Sequence, residues 1–245
     1  MDDTETRDVC IVGGGIAGLT AAIYTARAGL DTVVVSAGES ILRRNAHLEN
    51  VPGFPLGVNP RTFLDQTERQ AERAGADVRE GEVTDVARDV SGFDVQVDGD
   101  VLRADFVLVA TKNATDFLAD LDVGIIKRGS KTYLDVDEYG RTDVDGLYAA
   151  GRVAEKRHQV VVAAGHGADV AMTVVEDAEV PFYHDWVVPE GYFTDRGREV
   201  PPGCVELSDD AREERERASM AAIREAFADP HPDDPTPHPS LADEE

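Results

Sequence analysis

The stretch DVCIVGGGIAGLTAAIYTARAGLDTVVVS, residues 8–36, decides how this chain folds. Val9, Cys10, Ile11 and Val12 are a short, wholly apolar run, the signature of a central parallel strand covered on both faces. Ile16, Leu19, Ile23 and Ala26 then recur at helical spacing up to Gly29, a residue suited to ending a helix. Thr32–Ser36 reads as a second strand, so the three elements close a right-handed crossover unit. At the junction stands Gly13-x-Gly15-x-x-Gly18. The first glycine permits a tight turn, the second lets a pyrophosphate approach the backbone, and the third lets the helix pack on the strand. A glycine triplet alone would equally suit a structural turn. The strand before it and the helix after it are the context that dinucleotide binding requires. The acidic residue that usually ends the second strand and accepts a ribose hydroxyl is replaced by Ser36, and the nearest carboxylate is Glu39.

Outward from this unit the alternation of elements continues. Asn59 and Pro60 open a second helix as cap and first residue, with Phe63, Leu64, Thr67, Ala71 and Ala74 on one face and Gly75 at its end. Over residues 82–110 the period drops to two. Phe93, Val95 and Val97 alternate with polar residues, Asp98–Asp100 is a hairpin turn, and Phe106–Ala110 is a buried strand after a small antiparallel meander. KTYLDVDEYGRT and GLYAAG supply further strands, and an Ala- and Gly-rich helix runs from about Gln159 to Val175.

The composition excludes several functions. Forty-nine acidic residues against 24 basic ones give a formal charge of −25, and the basic set contains only four Lys: Lys112, Lys127, Lys131 and Lys156. This balance resembles that of proteins from salt-loving archaea, in which surface carboxylates keep the chain hydrated and repel one another at low salt. Nucleic acid is not an expected partner, since binding phosphates needs a basic face. No run approaches a membrane span and the N-terminus has no signal pattern, so a cytoplasmic location without membrane contact is expected. Cys10 reads as a buried inert thiol and Cys204 as an exposed one. Neither has a CxxC neighbour, and no metal-ligating set is present.

Beyond Asp177 the character shifts. VPFYHDWVVPEGYF is aromatic and punctuated by Pro, a strap over the domain or an interface arm. SDDAREERERASMAAIREAF is a helix capped by Ser208, with Met220, Ile223 and Phe227 as a short apolar stripe. That stripe admits two readings, a single docking turn on this chain or a contact with a second copy in a homodimer or with another partner. The Pro-rich acidic tail is expected to be disordered.

Five separated segments, the glycine fingerprint, HLENVPGFP, VLVAT, DEYGRTDVDGLYAAG and HQVVVAAGHGADVA, occur in the order found in the FAD-binding domain of thioredoxin reductases, which residues 7–178 closely resemble. The resemblance implies an α/β fold with a Rossmann-like parallel sheet, crossover helices and a small antiparallel meander over residues 1–178. A strap-and-helix extension over 179–228 and a tail over 229–245 follow. It implies FAD as cofactor. By position, the diphosphate falls to Gly13, Gly15, Ile16, Ala17 and Gly18, and a flavin contact to Asn50. The ribityl and phosphate contacts fall to Gly151 with Arg152, and the pyrimidine end of the isoalloxazine to His158 with Gln159. Ser36, Glu39, Val83, Thr111 and Val160 complete the cofactor-binding set.

The departures from the family pattern bear on mechanism. Gly151-Arg152 stands where the family has Gly-Asp, Lys112 where its strand ends in Gly, and SILRRN where a Gly-Gly-Gln-Leu loop cradles the flavin. Arg43 and Arg44 in that loop are candidate phosphate or carboxylate ligands, or partners of the acidic surface. Only about 35 residues separate Ala110 from Gly146, without a second glycine fingerprint, too few for the nicotinamide domain that the family inserts there and that carries its CxxC. The expectation is an FAD-dependent oxidoreductase that cannot reduce thioredoxin by the family's route and receives electrons from a separate donor protein or a small molecule. A non-catalytic nucleotide-binding or empty scaffold for a partner, and an enzyme using NAD or another adenylate, are the alternatives. No side chain stands out as catalytic; His47 and His158 are the histidines placed near the ring.

Overall fold

β1 (Glu5–Val12) lies at the centre of a seven-stranded sheet because it has no polar face in its second half, where Val9, Cys10 and Ile11 are fully buried. Val9 and Ile11 point into one core cluster, Cys10 and Val12 into the cluster on the opposite face. The computed structural model describes residues 4–182 and 184–238. α1 (Ile16–Arg27) returns the chain to β2 (Thr32–Ser36), which pairs parallel with β1 from Val9↔Thr32 to Val12↔Val35. α2 (Pro60–Ala74) is capped as expected: the Asn59 side chain accepts from the N–H groups of Arg61 and Thr62, and Gly75 ends the helix at φ +111°. It leads into β3 (Asp77–Glu80), a parallel edge strand beyond β2 that the polar sequence DVRE does not announce.

β4 (Val83–Arg88) and β5 (Phe93–Val97) form the antiparallel meander with β6 (Asp100–Val109). The expected turn contracts to Asp98 and Gly99, both at positive φ. The meander strand and the buried strand are one continuous element. Along one edge, β6 pairs parallel with β1 from Glu5↔Leu102 to Val12↔Val109. Along the other it forks, its first half with β5 and its second half with β9 (Leu147–Ala149). Between β6 and β9 the chain makes a small hairpin, β7 (Ile125–Arg128) with β8 (Lys131–Leu134), turning at Gly129.

α3 (Val160–Asp177) packs across α1 so closely that a Cβ on Gly167 would lie 2.1 Å from the Ala17 carbonyl oxygen. Its C-terminal end is tied to the sheet: Asp177 accepts the Tyr148 hydroxyl at 2.7 Å and both arms of Arg141 at 2.7 and 2.8 Å. Arg141 in turn holds the Asp177 carboxyl below its ordinary range.

After α3, Val180 and Phe182 pack against the core, and Arg27 ion-pairs with Asp185. β10 (Trp186–Pro189) and β11 (Cys204–Leu207) form a separate parallel pair, and the Glu206 carboxylate gathers the N–H groups of Gly191, Phe193 and Thr194. Those bonds hold its carboxyl down at about 2. Cys204, expected to be exposed, is buried, with its thiol donating to the His184 carbonyl, because β11 folds that edge under the strap. α4 (Asp209–Ala226), capped by Ser208, has no buried residue, and Phe227 just beyond it meets Phe54 at 5.7 Å between ring centroids. The described part of the tail runs along α2 and the loop after β2. His231 Nε2 lies 3.0 Å from Asp65, and Thr236 bonds Glu39 and the Arg43 carbonyl. No helix among the described residues is long and apolar enough to cross a membrane.

Candidate functional site

A cleft of about 1090 Å³ opens beyond the carboxyl ends of β1, β2 and β6, where the crossover through α1 leaves in one direction and β6 lies in the other. This is where an open α/β sheet receives a ligand, and the volume suits a dinucleotide-sized molecule. Its floor is the glycine turn. Gly13 has φ +115°, and a Cβ there would strike the Ala110 carbonyl oxygen at 2.7 Å, so β6 fixes the turn from behind. Gly15, by contrast, faces open space, with only Ser40 Oγ at 3.7 Å from where a Cβ would stand. Gly15 is also the N-cap of α1 and offers no side-chain cap, so the first N–H groups of that helix face the cleft without a protein acceptor.

Thirteen of the residues picked out by sequence line this cleft. Gly13, Gly15, Ile16 and Ala17 form the floor, Ser36 and Glu39 the end near β2, and Val83 and Thr111 the far wall. Asn50, Arg152, His158, Gln159 and Val160 close the remaining side. Gly18 and Gly151 stand behind the wall instead. A Cβ on Gly18 would lie 2.0 Å from the Gly13 carbonyl oxygen, and one on Gly151, at φ +72°, would lie 2.8 Å from Ala17 Cβ. Both shape the turn by making room for backbone, as the third position of the fingerprint does.

The fold brings Asn50 and Gln159 together across 109 residues of sequence: Asn50 Nδ2 donates to Gln159 Oε1 at 2.8 Å. Gln159 caps α3 through its backbone alone, leaving the side chain for this contact. Ser36 packs under Gly14, and Glu39 accepts from the Thr236 hydroxyl at 2.6 Å, so the carboxylate nearest the ribose end already has a partner. His47 also lines the cleft but is bonded through Nε2 to the Leu56 carbonyl at 3.1 Å, pinning the loop that carries Asn50. His158 is pushed below its ordinary value by partial burial and then by Arg152, Lys112 and Lys131, which favours the neutral ring at pH 7.

Two supporting residues lie outside the sequence reading. The Gly151 N–H donates to His166 Nδ1 at 2.9 Å, which places the ring proton on Nε2. Burial, then Lys156, lowers the His166 pKa to about 4. Its only signal in sequence was a polar residue on the Ala- and Gly-rich face of α3. Arg61, 4% exposed, donates to the carbonyls of Arg43 and Asn45 and so holds the loop that presents Arg44 to the cleft. No local pattern distinguishes it from a surface arginine of α2.

The residues present fit an ADP-linked cofactor: the glycine floor is open, no described side chain fills it, and the N–H groups at the start of α1 and the cations Arg44, Lys112 and Arg152 line the cleft beside its acids. The FAD binding domain family matches residues 8–46, and the pyridine nucleotide-disulphide oxidoreductase family matches residues 54–167. Thioredoxin reductase of Streptomyces coelicolor is 41% identical over 115 residues, covering 44% of this chain and 35% of that protein. NADPH-dependent thioredoxin reductase 3 of Arabidopsis thaliana is 35% identical over 112 residues, covering 42% and 21%. The chain thus matches about a third of the length of the first relative and about a fifth of the second. In fold it is similar to the T. acidophilum thioredoxin reductase, with a TM-score of 0.66 at 19% identity over 71% of this chain and 99% of that one. In its glycine floor, its Asn50–Gln159 contact and these matches, the chain is similar to an FAD-binding domain of the thioredoxin reductase type.

Proposed function

We propose that the protein is an FAD-dependent oxidoreductase that takes its electrons from outside its own chain, from a donor protein or from a small molecule docking at the flavin. The observation that carries this reading is the connection between β6 and β9. It consists of one turn of 3-10 helix and the β7–β8 hairpin, where an inserted nicotinamide-binding unit would need its own sheet and helices. The thiols also support it. Cys10 is fully buried in β1, where desolvation pushes its pKa up to about 12, and Cys204 lies in β11. Neither is placed for dithiol exchange.

FAD supplies the redox centre when bound, and the chain supplies binding and orientation. The open N–H groups at the start of α1 would hold the diphosphate at the glycine floor. Asn50 and Gln159 fix each other and would fix the side of the cleft that receives the ring, where Val160 adds an apolar surface. His166 holds the Gly151 turn from behind.

The test is the visible spectrum of the protein purified in molar salt, followed by anaerobic titration with NADPH. Flavin bands that NADPH alone bleaches slowly and without saturation support the reading. A colourless protein that takes up no added FAD overturns it, and fast saturable bleaching overturns the external-donor part. A second reading, a partner-binding scaffold, draws on the exposed Met220 and Ile223 of α4 and Trp186 and Val187 of β10. A lone monomer in molar salt with no co-purifying protein counts against it.

A further inference from the structure

The chain has twice as many acids as bases, and Arg7, Arg43, Arg79, Arg103 and Arg141 are among the cations that pair with a carboxylate. Arg44, Lys112 and Arg152 line the cleft together, and none of the three has an ion-pair partner among the described residues. Their charges act on one another instead. Partial burial first, then Arg44 and Arg152, lower the pKa of Lys112, and no carboxylate is among the charges acting on it or on His158. Glu39, Glu49, Glu82 and Asp116 share the cleft wall, and none of them ion-pairs with the three cations among the described residues.

Lys112 is also strained. It sits at φ +63°, a left-handed conformation that costs an L-residue free energy and that glycine adopts freely. A long cation held in a glycine conformation, beside two unpaired guanidinium groups, is an arrangement that loses stability unless a ligand repays it.

We propose that Arg44, Lys112 and Arg152 form an oxyanion pocket at the β6/β9 end of the cleft, which takes a phosphate or carboxylate group of a small molecule other than the cofactor. Two guanidinium forks and one ammonium match the oxygens of such a group better than they match a simple halide. The cofactor diphosphate has its own seat at the glycine floor beyond β1. Arg152 follows β9, and Gly151 before it packs on Ala17, so the pocket borders that seat and competition with FAD is what tells the two apart. The proposal rests on the flavin reading for what occupies the rest of the cleft, not for the pocket itself.

The full-length protein, loaded with FAD in molar KCl, is titrated with inorganic phosphate and, separately, with citrate, followed by calorimetry and by the flavin absorption bands. Lys112→Gly and Arg152→Gln are titrated in the same way. The expected result is saturable binding of at least one anion to the loaded wild type, with affinity per FAD-loaded protein at least about tenfold weaker in both variants and FAD content unchanged in Lys112→Gly. Phosphate binding alone points to a phosphorylated ligand, citrate binding alone to a polycarboxylate, and either supports the pocket. Because glycine relieves the strain at position 112, Lys112→Gly melts no lower than wild type, which separates lost binding from lost folding. The proposal is overturned if neither anion binds the loaded wild type, if both variants bind as wild type does, or if the anions bind only FAD-free protein and FAD displaces them. A protein that takes up no FAD but binds phosphate through Lys112 and Arg152 sinks the flavin reading and leaves the pocket standing.

Discussion

Single residues in this cleft separate the needs of the fold from the needs of the ligand. Gly18 and Gly15 belong to the same fingerprint but face opposite ways. Gly18→Ala drives a Cβ into the Gly13 carbonyl, and we expect a loss of about 1–3 kcal/mol in thermal or denaturant unfolding together with loss of bound FAD. Gly15→Ala meets nothing closer than 3.7 Å at an ordinary φ of −82°, so its melting temperature should hold while FAD retention through gel filtration falls. His166 gives a pH signature. Its folded pKa of about 4 lies below the ordinary 6.5, so the unfolded chain binds the extra proton between those values. Stability from this site is therefore complete above about pH 6.5 and is lost as pH falls toward 4. His166→Asn keeps an acceptor for the Gly151 N–H and removes the titration, so its melting temperature should fall less steeply over that window. An identical slope in both proteins would contradict the assignment.

At the scale of elements, the β1–α1–β2 unit and the capped α2 were legible in sequence because their signals are local: an apolar run, a glycine turn, Asn59 followed by Pro60. β3 was not, since its place is set by pairing with β2 and not by its own polar residues. The continuity of β6 was hidden for a related reason. Its outer half alternates and its inner half is uniformly apolar, so one strand with two environments reads as two. The site divides in the same manner. Its glycines and its cation substitutions could be read directly, whereas the Asn50–Gln159 contact, His166 and Arg61 depend on which distant segments meet. The seam between α3 and the sheet is such a meeting and can be measured. Tyr148→Phe removes one hydrogen bond and should cost about 1 kcal/mol. Asp177→Ala leaves the Tyr148 hydroxyl without its acceptor and Arg141 with only Asp137, and should cost about 1–3 kcal/mol. The two changes should be strongly non-additive in a double-mutant cycle.

For the whole molecule the dominant fact is its charge of −25. The Debye length shrinks from about 10 Å at 0.1 M salt to about 3 Å at 1 M, so repulsion among surface carboxylates is largely removed over that range. The melting temperature should rise steadily with KCl, and a flat or falling curve would contradict this account. The same range weakens exposed ion pairs, but pairs of that kind contribute little to begin with. The β7–β8 hairpin has a further meaning at this scale. β6 and β9 lie side by side, and the connection between them gives Phe117, Leu118 and Leu134 to the core, while its hairpin tip at 129–130 is exposed and touches none of it. Residues 129–130 are consequently a splice point. A foreign folded module grafted there would add little more than the entropy of a longer loop, which grows only logarithmically with length. The flavin unit could thus be rebuilt as a host for whichever electron-delivering cassette an experimenter chooses to plug in.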